Sequence, residues 1–376
     1  MPRPIVLTIS PEALTHNLDV VRQRLQHSAD ALGRAAPKVW AVIKANAYGH
    51  GIQTAVPAFF AADGLAMLDF EEALLCRQLG WQKPLLLLEG FFNYDDLSLV
   101  AAHDLSLVLH QPEQLEMLSR FASRKPLKAY LKINTGMNRL GFTAATLPQA
   151  WAQLQTLINE RQLDFLGAMT HFSWADESAE ATRAQIETFL ALNPAPQAAF
   201  SVCNSAATLH TQWQALLPAT EQWVRPGICL YGASPFVAES AAQLDLQPAQ
   251  TLSAEIISIQ ELDAGQVIGY GHTFTARGPM RIGVVACGYA DGYPRHAPSG
   301  TPAVVAGQRT ELVGRISMDM LTIDVTHIPA AGVGSQVHLW GAGGPSVDEV
   351  AQHAGTIGYE LVTAVTPRVP RQIIQS

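Results

Sequence analysis

Val39-Trp40-Ala41-Val42-Ile43-Lys44-Ala45-Asn46-Ala47-Tyr48-Gly49-His50-Gly51 decides the fold. Five apolar residues run without a break, a lysine follows at once, and a Gly-punctuated turn comes next. A short run that is apolar at nearly every position suits a strand covered on both faces, as in a parallel sheet. Seven further runs share that character: Leu65–Leu68, Leu85–Leu88, Ser106–Leu109, Ala129–Ile133, Phe165–Met169, Ala199–Cys203 and Ile228–Tyr231. Helix-like stretches lie between them, among them Asp69–Leu79, Pro112–Phe121, Leu147–Asn159 and Glu177–Leu192. Apolar run, loop, amphipathic stretch is the signature of a βα unit. Eight such units predict a closed (β/α)8 TIM-type barrel rather than an open doubly wound sheet. Ser10-Pro11-Glu12 offers an N-cap followed by proline at the first helical position, which predicts a helix ahead of the first run.

The texture changes near residue 240. From Thr251 the apolar runs are shorter, β-branched and separated by Gly or Pro turns: Ala254–Ile259, Gln266–Tyr270, Ile282–Ala286, Ala303–Val305, Leu321–Val325 and Val337–Trp340. This spacing predicts a mainly-β module. Two helix-like pieces, Val347–His353 and Tyr359–Val365, follow it. The polar Ala/Gln-rich stretch 238–250 is the expected boundary, with residues 1–240 forming the barrel and residues 241–376 the β-rich domain. A length of 376 residues accommodates both, since domains run to roughly 150 residues each.

Charge narrows the function classes. Lys and Arg number 24 against 32 Asp and Glu, a net charge of −8, so an electrostatic nucleic-acid binder or a ligand of anionic membrane is not expected. No apolar run is long enough to span a bilayer. The opening MPRPIVLTISPEAL has no long apolar core and no small-residue cleavage site, so no export signal is expected and the cytoplasm is the expected compartment. Cys76, Cys203, Cys229 and Cys287 have no paired or metal-ligand spacing; reduced core cysteines and no metal are expected.

Reactive residues of a βα barrel gather just past the C-terminal strand ends. Lys44 follows the first run directly; Lys132, Asn134 and Arg139 surround the end of the fifth; His171 follows the sixth, Asn204-Ser205 the seventh, and Arg225 precedes the eighth. Lys44 has two readings. It is an exposed lysine opening a loop, or it is a lysine whose ammonium is destabilised by apolar surroundings, freeing the amine to form a Schiff base.

AVIKANAYGHG, LKINTGMNRLGF, THFSWADE, CNSAAT, RPGICLYG, GYGHTF, GYADGYPR, GRISMDM and TIGYE, in that order between about residues 40 and 360, resemble the alanine racemase family. The resemblance implies a pyridoxal 5'-phosphate enzyme interconverting L- and D-alanine, for peptidoglycan synthesis or D-alanine breakdown, in which Lys44 binds the cofactor. The cofactor makes the substrate Cα–H acidic, and racemisation then needs an acid/base group on each face of that carbon. Lys44 would serve one face and Tyr270 the other. A tyrosine acts as a base only after losing its phenolic proton, which a cationic neighbourhood favours. The family pattern assembles each site across a homodimer, with Tyr270, Tyr289, Met318 and Asp319 donated by the partner chain. Tyr289, Asp319 and Met318, the last through its backbone N–H, would contact substrate, together with Arg139.

The resemblance also implies the cofactor's setting. Arg225 would face its ring nitrogen, and Arg139 its phenolic oxygen. Tyr48, Ser205, Gly227, Ile228 and Tyr359 would hold the phosphate, with His171 and Asn204 in support. Lys132 matches a lysine that is carbamylated in many members, where the adduct orients the arginine equivalent to Arg139. Asn134 stands where many members carry Asp, which leaves the local charge balance, and the state of Lys132, open. Tyr270 and Tyr359 would form an inner gate, and Asp176, Arg295, Arg315 and Ile357 a wider entrance. Two rings near Cα would favour a methyl side chain by exclusion. A broad-specificity amino-acid racemase of the same fold is the alternative. A decarboxylase of this fold is disfavoured because ACGYADGYP has the tyrosine context and not a Cys-Glu-Ser one. A barrel-only cofactor-binding protein would lack the β-rich region.

Overall fold

A computed structural model describes residues 3–374. Residues 1, 2, 375 and 376, which the sequence reading assigns to the two domains and to the opening segment without an export signal, lie outside the described residues. The chain begins with strand β1 (Ile5–Ile9), which buries every second residue. The predicted helix follows over Pro11–Leu32: Ser10 Oγ accepts the Ala13 N–H at 3.1 Å, and Gly33 ends the helix in a left-handed conformation.

Eight strands then alternate with helices: β2 (Lys38–Val42), β3 (Gly64–Met67), β4 (Leu85–Leu87), β5 (Leu105–Leu109), β6 (Leu127–Lys132), β7 (Leu163–Met169), β8 (Phe200–Ser201) and β9 (Trp223–Val224). They form one parallel sheet in the order β8-β7-β6-β5-β4-β3-β2-β9. A single parallel bridge between Phe200 and Gln222 joins its two ends, so the sheet rolls into a nearly closed eight-stranded barrel. The strands are buried on both faces, which is why the first seven runs were legible as apolar blocks.

The eighth run is a correction. Ile228–Tyr231 is a wholly buried 3-10 turn, and the eighth strand is the two-residue Trp223–Val224. Pro226 has no N–H to give to a ladder. The run is apolar because it packs under the helix Pro11–Leu32, where Asn17 Nδ2 donates to Leu230 O at 3.1 Å. Arg225 consequently follows its strand instead of preceding one, like the other strand-end residues.

The remaining strands are β10 (Gln250–Leu262), β11 (Val267–Ile268), β12 (Phe274–Thr275), β13 (Met280–Val285), β14 (Pro302–Val305), β15 (Gln308–Glu311), β16 (Leu321–Asp324), β17 (Gln336–Trp340) and β18 (Arg371–Ile373). A second sheet runs β15-β14-β17-β10-β1-β18, with β13 pairing both β10 and β16. Strand β1 is antiparallel to β10, from Ile5 opposite Ala254 to Ile9 opposite Gln250. Residues 5–9 therefore belong with the β-rich region and not with the barrel that the division at residue 240 gives them to. Their alternation suits a sheet with one covered face, unlike the solid apolar blocks of the barrel. The helices Val347–Ala354 and Gly358–Ala364 reach back over the barrel mouth, where Ser234 N–H donates to Asp348 Oδ2 at 2.8 Å.

Candidate active site

Lys44 begins a turn of unusual handedness. Ala45, Asn46, Ala47 and Tyr48 have φ of 54°, 53°, 54° and 50°, all left-handed, with no glycine among them. Each such residue costs roughly 1–2 kcal/mol, so four in succession persist only where surrounding contacts over-determine them. Glu72 Oε1 accepts the Asn46 N–H at 2.6 Å, Asn46 Oδ1 accepts the Ile52 N–H at 3.1 Å, and Ala47 and Tyr48 are buried. The turn sets Lys44 and Tyr48 on the wall of one cavity of about 530 Å³ at the C-terminal strand ends.

Lys132, Arg139, His171, Asn204, Ser205, Arg225, Gly227 and Tyr359 line the same cavity. Arg225 is anchored from three sides: Nη1 donates to Ser201 Oγ at 2.6 Å, and Nη2 to Thr170 O at 2.6 Å and His171 Nδ1 at 3.2 Å. A guanidinium can only donate, so His171 Nδ1 is the acceptor and carries no proton. Burial and four cations (Arg225, Arg139, Lys132 and Lys44) hold His171 well below the ordinary histidine range, consistent with that neutral form. Asn204 Oδ1 caps the short helix Ser205–Leu209 by accepting the Ala207 N–H at 3.1 Å. Ser205 Oγ accepts the Gly227 N–H at 2.8 Å, and Ile228 follows directly. A Cβ on Gly227 would lie 2.4 Å from the Tyr48 hydroxyl, so only glycine fits there. Tyr48 stacks on Tyr231 at 4.6 Å, and burial pushes the Tyr48 and Tyr359 phenols up, which leaves both neutral.

The two lysines are perturbed for one reason. Burial, then Arg139, lowers the Lys44 ammonium pKa, while Glu89 opposes. Lys132 is lowered to about 7 by burial, then by Arg225 and Arg139, again against Glu89. Unfolding restores the ordinary lysine value of 10.5. Between about pH 7 and 10.5 the unfolded chain therefore binds the extra proton, and raising the pH stabilises the fold. Lys132→Met is expected to lose this contribution, whose slope is at most about 1.4 kcal/mol per pH unit. Denaturant unfolding of both proteins between pH 7 and 10 in carbon-dioxide-free buffer, where the amine is unmodified, checks it; parallel stability curves would show that Lys132 is not depressed.

Glu89 escaped the sequence reading, although it directly follows the run Leu85–Leu88 and so obeys the strand-end rule that picked out Lys44. It lines the cavity, and its backbone oxygen accepts Gln114 Nε2 at 3.1 Å and lies 2.9 Å from His110 Nε2.

Other expected site residues lie elsewhere. Asp176 and Ile357 line a second cavity of about 430 Å³, which shares His171, Asn204 and Tyr359 with the first. Tyr270 occupies a short turn between β11 and β12 and is 68% exposed. Tyr289, Met318 and Asp319 lie on the β-rich region's surface, and none of the four lines the cavity of its own chain. Arg315 adjoins the Tyr270 turn, its Nη1 lying 3.4 Å from where a Gly271 Cβ would be; Arg295 is exposed on the same region. No group of three or more His, Cys, Asp or Glu able to hold a metal occurs among the described residues.

Comparison with known proteins gives a consistent result. Two family models match, one described as the N-terminal domain of alanine racemase over residues 9–235 and one as its C-terminal domain over residues 249–373. An alanine racemase of Bordetella petrii is 54% identical over 372 residues, covering 98% of this chain and 99% of that one. The crystal structure of a biosynthetic alanine racemase from Pseudomonas aeruginosa superposes with a TM-score of 0.89 at 43% identity, covering 99% of this chain and 100% of that one. An alanine racemase structure from Acinetobacter baumannii gives 0.86 at 35% identity, over 99% and 100% of the two chains.

Proposed function

The chain belongs to the alanine racemase family of isomerases, and from that premise we propose that it interconverts L- and D-alanine with pyridoxal 5'-phosphate, by two bases, in a homodimer whose sites draw on both chains. One observation carries the reading: a lysine with a destabilised ammonium sits in a cation-lined strand-end cavity, while the phenol that should oppose it is exposed on the other region of the same chain. A second copy is the simplest source of that phenol. In this reading residues 1–240, apart from β1, hold the cofactor together with Tyr359 of the same chain, and other residues of 241–376 complete the neighbour's site.

The cavity suits the cofactor. Its cations balance a phosphate, and the Ser205 hydroxyl, whose oxygen accepts the Gly227 N–H, and the Tyr48 hydroxyl, which packs where a Gly227 side chain would stand, can both donate to an anion there. Tyr48, Ser205, Gly227, Ile228 and Tyr359 would hold the phosphate, with Asn204 fixing the turn that presents Ser205. Bound pyridoxal 5'-phosphate supplies the electron sink that acidifies the substrate Cα–H.

The chain's own groups would do the rest. Lys44 attaches the cofactor, and its amine, made neutral more readily by burial and Arg139, holds or delivers a proton at one face of Cα. Tyr270 of a second copy does the same at the opposite face. Arg225, held by Ser201, Thr170 and neutral His171, would face the ring nitrogen with donors only and so keep it unprotonated. Arg139, with Met318, Tyr289 and Asp319 of the second copy, would orient the substrate carboxylate. Tyr270 and Tyr359 narrow the approach, with Asp176, Arg295, Arg315 and Ile357 wider out. Lys132 near 7 has a substantial neutral fraction at neutral pH, the form that carbon dioxide carbamylates, and the resulting anion would orient Arg139. A carbamate carbon signal after labelled bicarbonate, missing in Lys132→Met, tests that adduct; its absence from both would rule it out.

Substrate breadth is the test of function. Cα deuterium exchange with loss of optical rotation, run on alanine, serine, lysine and arginine, should be fastest for alanine. Comparable rates on lysine and arginine would contradict the exclusion argument. The expected compartment is the cytoplasm; no helix among the described residues is long and apolar enough to cross a membrane.

A further inference from the structure

A cluster of ion pairs around one buried carboxylate lies away from both cavities, in the β-rich region. The Asp291 carboxylate is wholly buried. Arg3 Nη1 donates to Asp291 Oδ1 at 2.9 Å and Oδ2 at 3.1 Å, Arg368 Nε lies 3.0 Å from Oδ1, and the Gly288 N–H donates to Oδ2 at 2.9 Å. Both arginines also reach Asp319: Arg3 Nη2 donates to its backbone oxygen at 2.5 Å and Arg368 Nη2 to Oδ1 at 2.7 Å. Thr366 N–H donates to Asp291 O at 3.1 Å and Thr366 Oγ1 to Ala290 O at 2.9 Å. Segments at residues 3, 288–291 and 366–368 thus meet at one carboxylate, and residues 317–319 join them through the two arginines.

What they clamp is an exposed edge. Tyr289 N–H donates to Ser317 O at 3.1 Å and Ala290 N–H to Met318 O at 2.9 Å. A Cβ on Gly288 would lie 2.4 Å from Met318 O, so the two turns approach as closely as backbone allows. Tyr289 and Met318 nevertheless remain 38% and 53% exposed. A buried carboxylate between two guanidiniums is costly to desolvate, and it is tolerated only when its partners are complete and well aimed. The clamp also ties down segments that carry the core residues Cys287, Tyr293, Ile316 and Val369, but Tyr289 and Met318 themselves face outward, so the geometry it fixes at these two side chains serves something beyond their own core.

We infer that Arg3, Asp291 and Arg368 are positioning residues that hold Tyr289, Met318 and Asp319 in the arrangement the partner copy's cavity needs. The inference rests on the shared-site reading above. None of the three touches substrate; each acts through the edge it braces, and the site it serves lies in the other chain.

That trans effect can be isolated. A mixed dimer of a Lys44→Ala chain and a Tyr270→Phe chain has one complete site, whose cavity comes from the Tyr270→Phe chain and whose edge comes from the Lys44→Ala chain. Asp291→Asn added to the Lys44→Ala chain is expected to lower alanine racemisation by the mixed dimer at least about tenfold, as small misplacements of positioned groups do. Added to the Tyr270→Phe chain, it is expected to change the rate less than about twofold. Arg3→Ala, which leaves Asp291 paired with Arg368, is run in both arrangements in case Asp291→Asn fails to fold, with the same polarity expected. Equal losses in the two arrangements, or none, would overturn the positioning role while leaving the shared site intact. A parent mixed dimer without activity would overturn the shared site and this assignment with it.

Discussion

The Lys44→Ala protein is expected to lose the visible absorbance of covalently held pyridoxal 5'-phosphate and to racemise alanine at least about 10⁴-fold more slowly. Both losses have one origin. Lys44 is the amine on the cavity wall that a left-handed, externally braced turn presents, and burial together with Arg139 disfavours its charged form. Lys132 is the other lysine of the cavity, so the absorbance discriminates between the two amines. A borohydride-reduced pyridoxyl group that stays with the denatured Lys44→Ala chain would move the attachment to Lys132. Small primary amines added to the variant should restore part of the rate, because they replace the missing amine without its tether.

Tyr270→Phe removes only a hydroxyl from an exposed side chain, so the fold and the cofactor absorbance are expected to survive. The loss should fall on one face of Cα. Solvent deuterium exchange from one alanine enantiomer is expected to drop about 10²–10⁴-fold, the range a positioned acid or base supplies, while exchange from the other persists. Equal and mild losses from both enantiomers would argue that one group works both faces.

Much of the barrel was legible because its strands are buried on both sides and separated by turns, which turns burial into unbroken apolar blocks. The same logic failed at Ile228–Tyr231, whose apolar character records packing beneath a helix and not strand pairing. The true eighth strand, Trp223–Val224, is too short to leave a periodic trace. Strand β1 was invisible for a related reason: five residues with simple alternation precede a strongly capped helix, and its partner strand β10 lies more than two hundred residues away. At the site, strand-end position singled out Lys44, Lys132 and His171 and would have found Glu89, whereas Arg225 was noted ahead of the eighth apolar run and proves to follow the true eighth strand. The left-handed turn could not be read, since Ala-Asn-Ala-Tyr contains no glycine and its conformation is imposed by Glu72 and the surrounding packing. Tyr270 was a candidate only through the resemblance, because nothing in its own chain brings it to the cavity.

The most direct measurement mixes the two separately impaired proteins, Lys44→Ala and Tyr270→Phe, in equal amounts and follows alanine racemisation after verified subunit exchange. If each site draws its lysine from one chain and its tyrosine from the other, random assortment makes half the dimers mixed, each with one complete site. Activity should then climb to about one quarter of the wild-type value. A mixture that stays at the average of its two components, with exchange demonstrated, would contradict a site built from two chains.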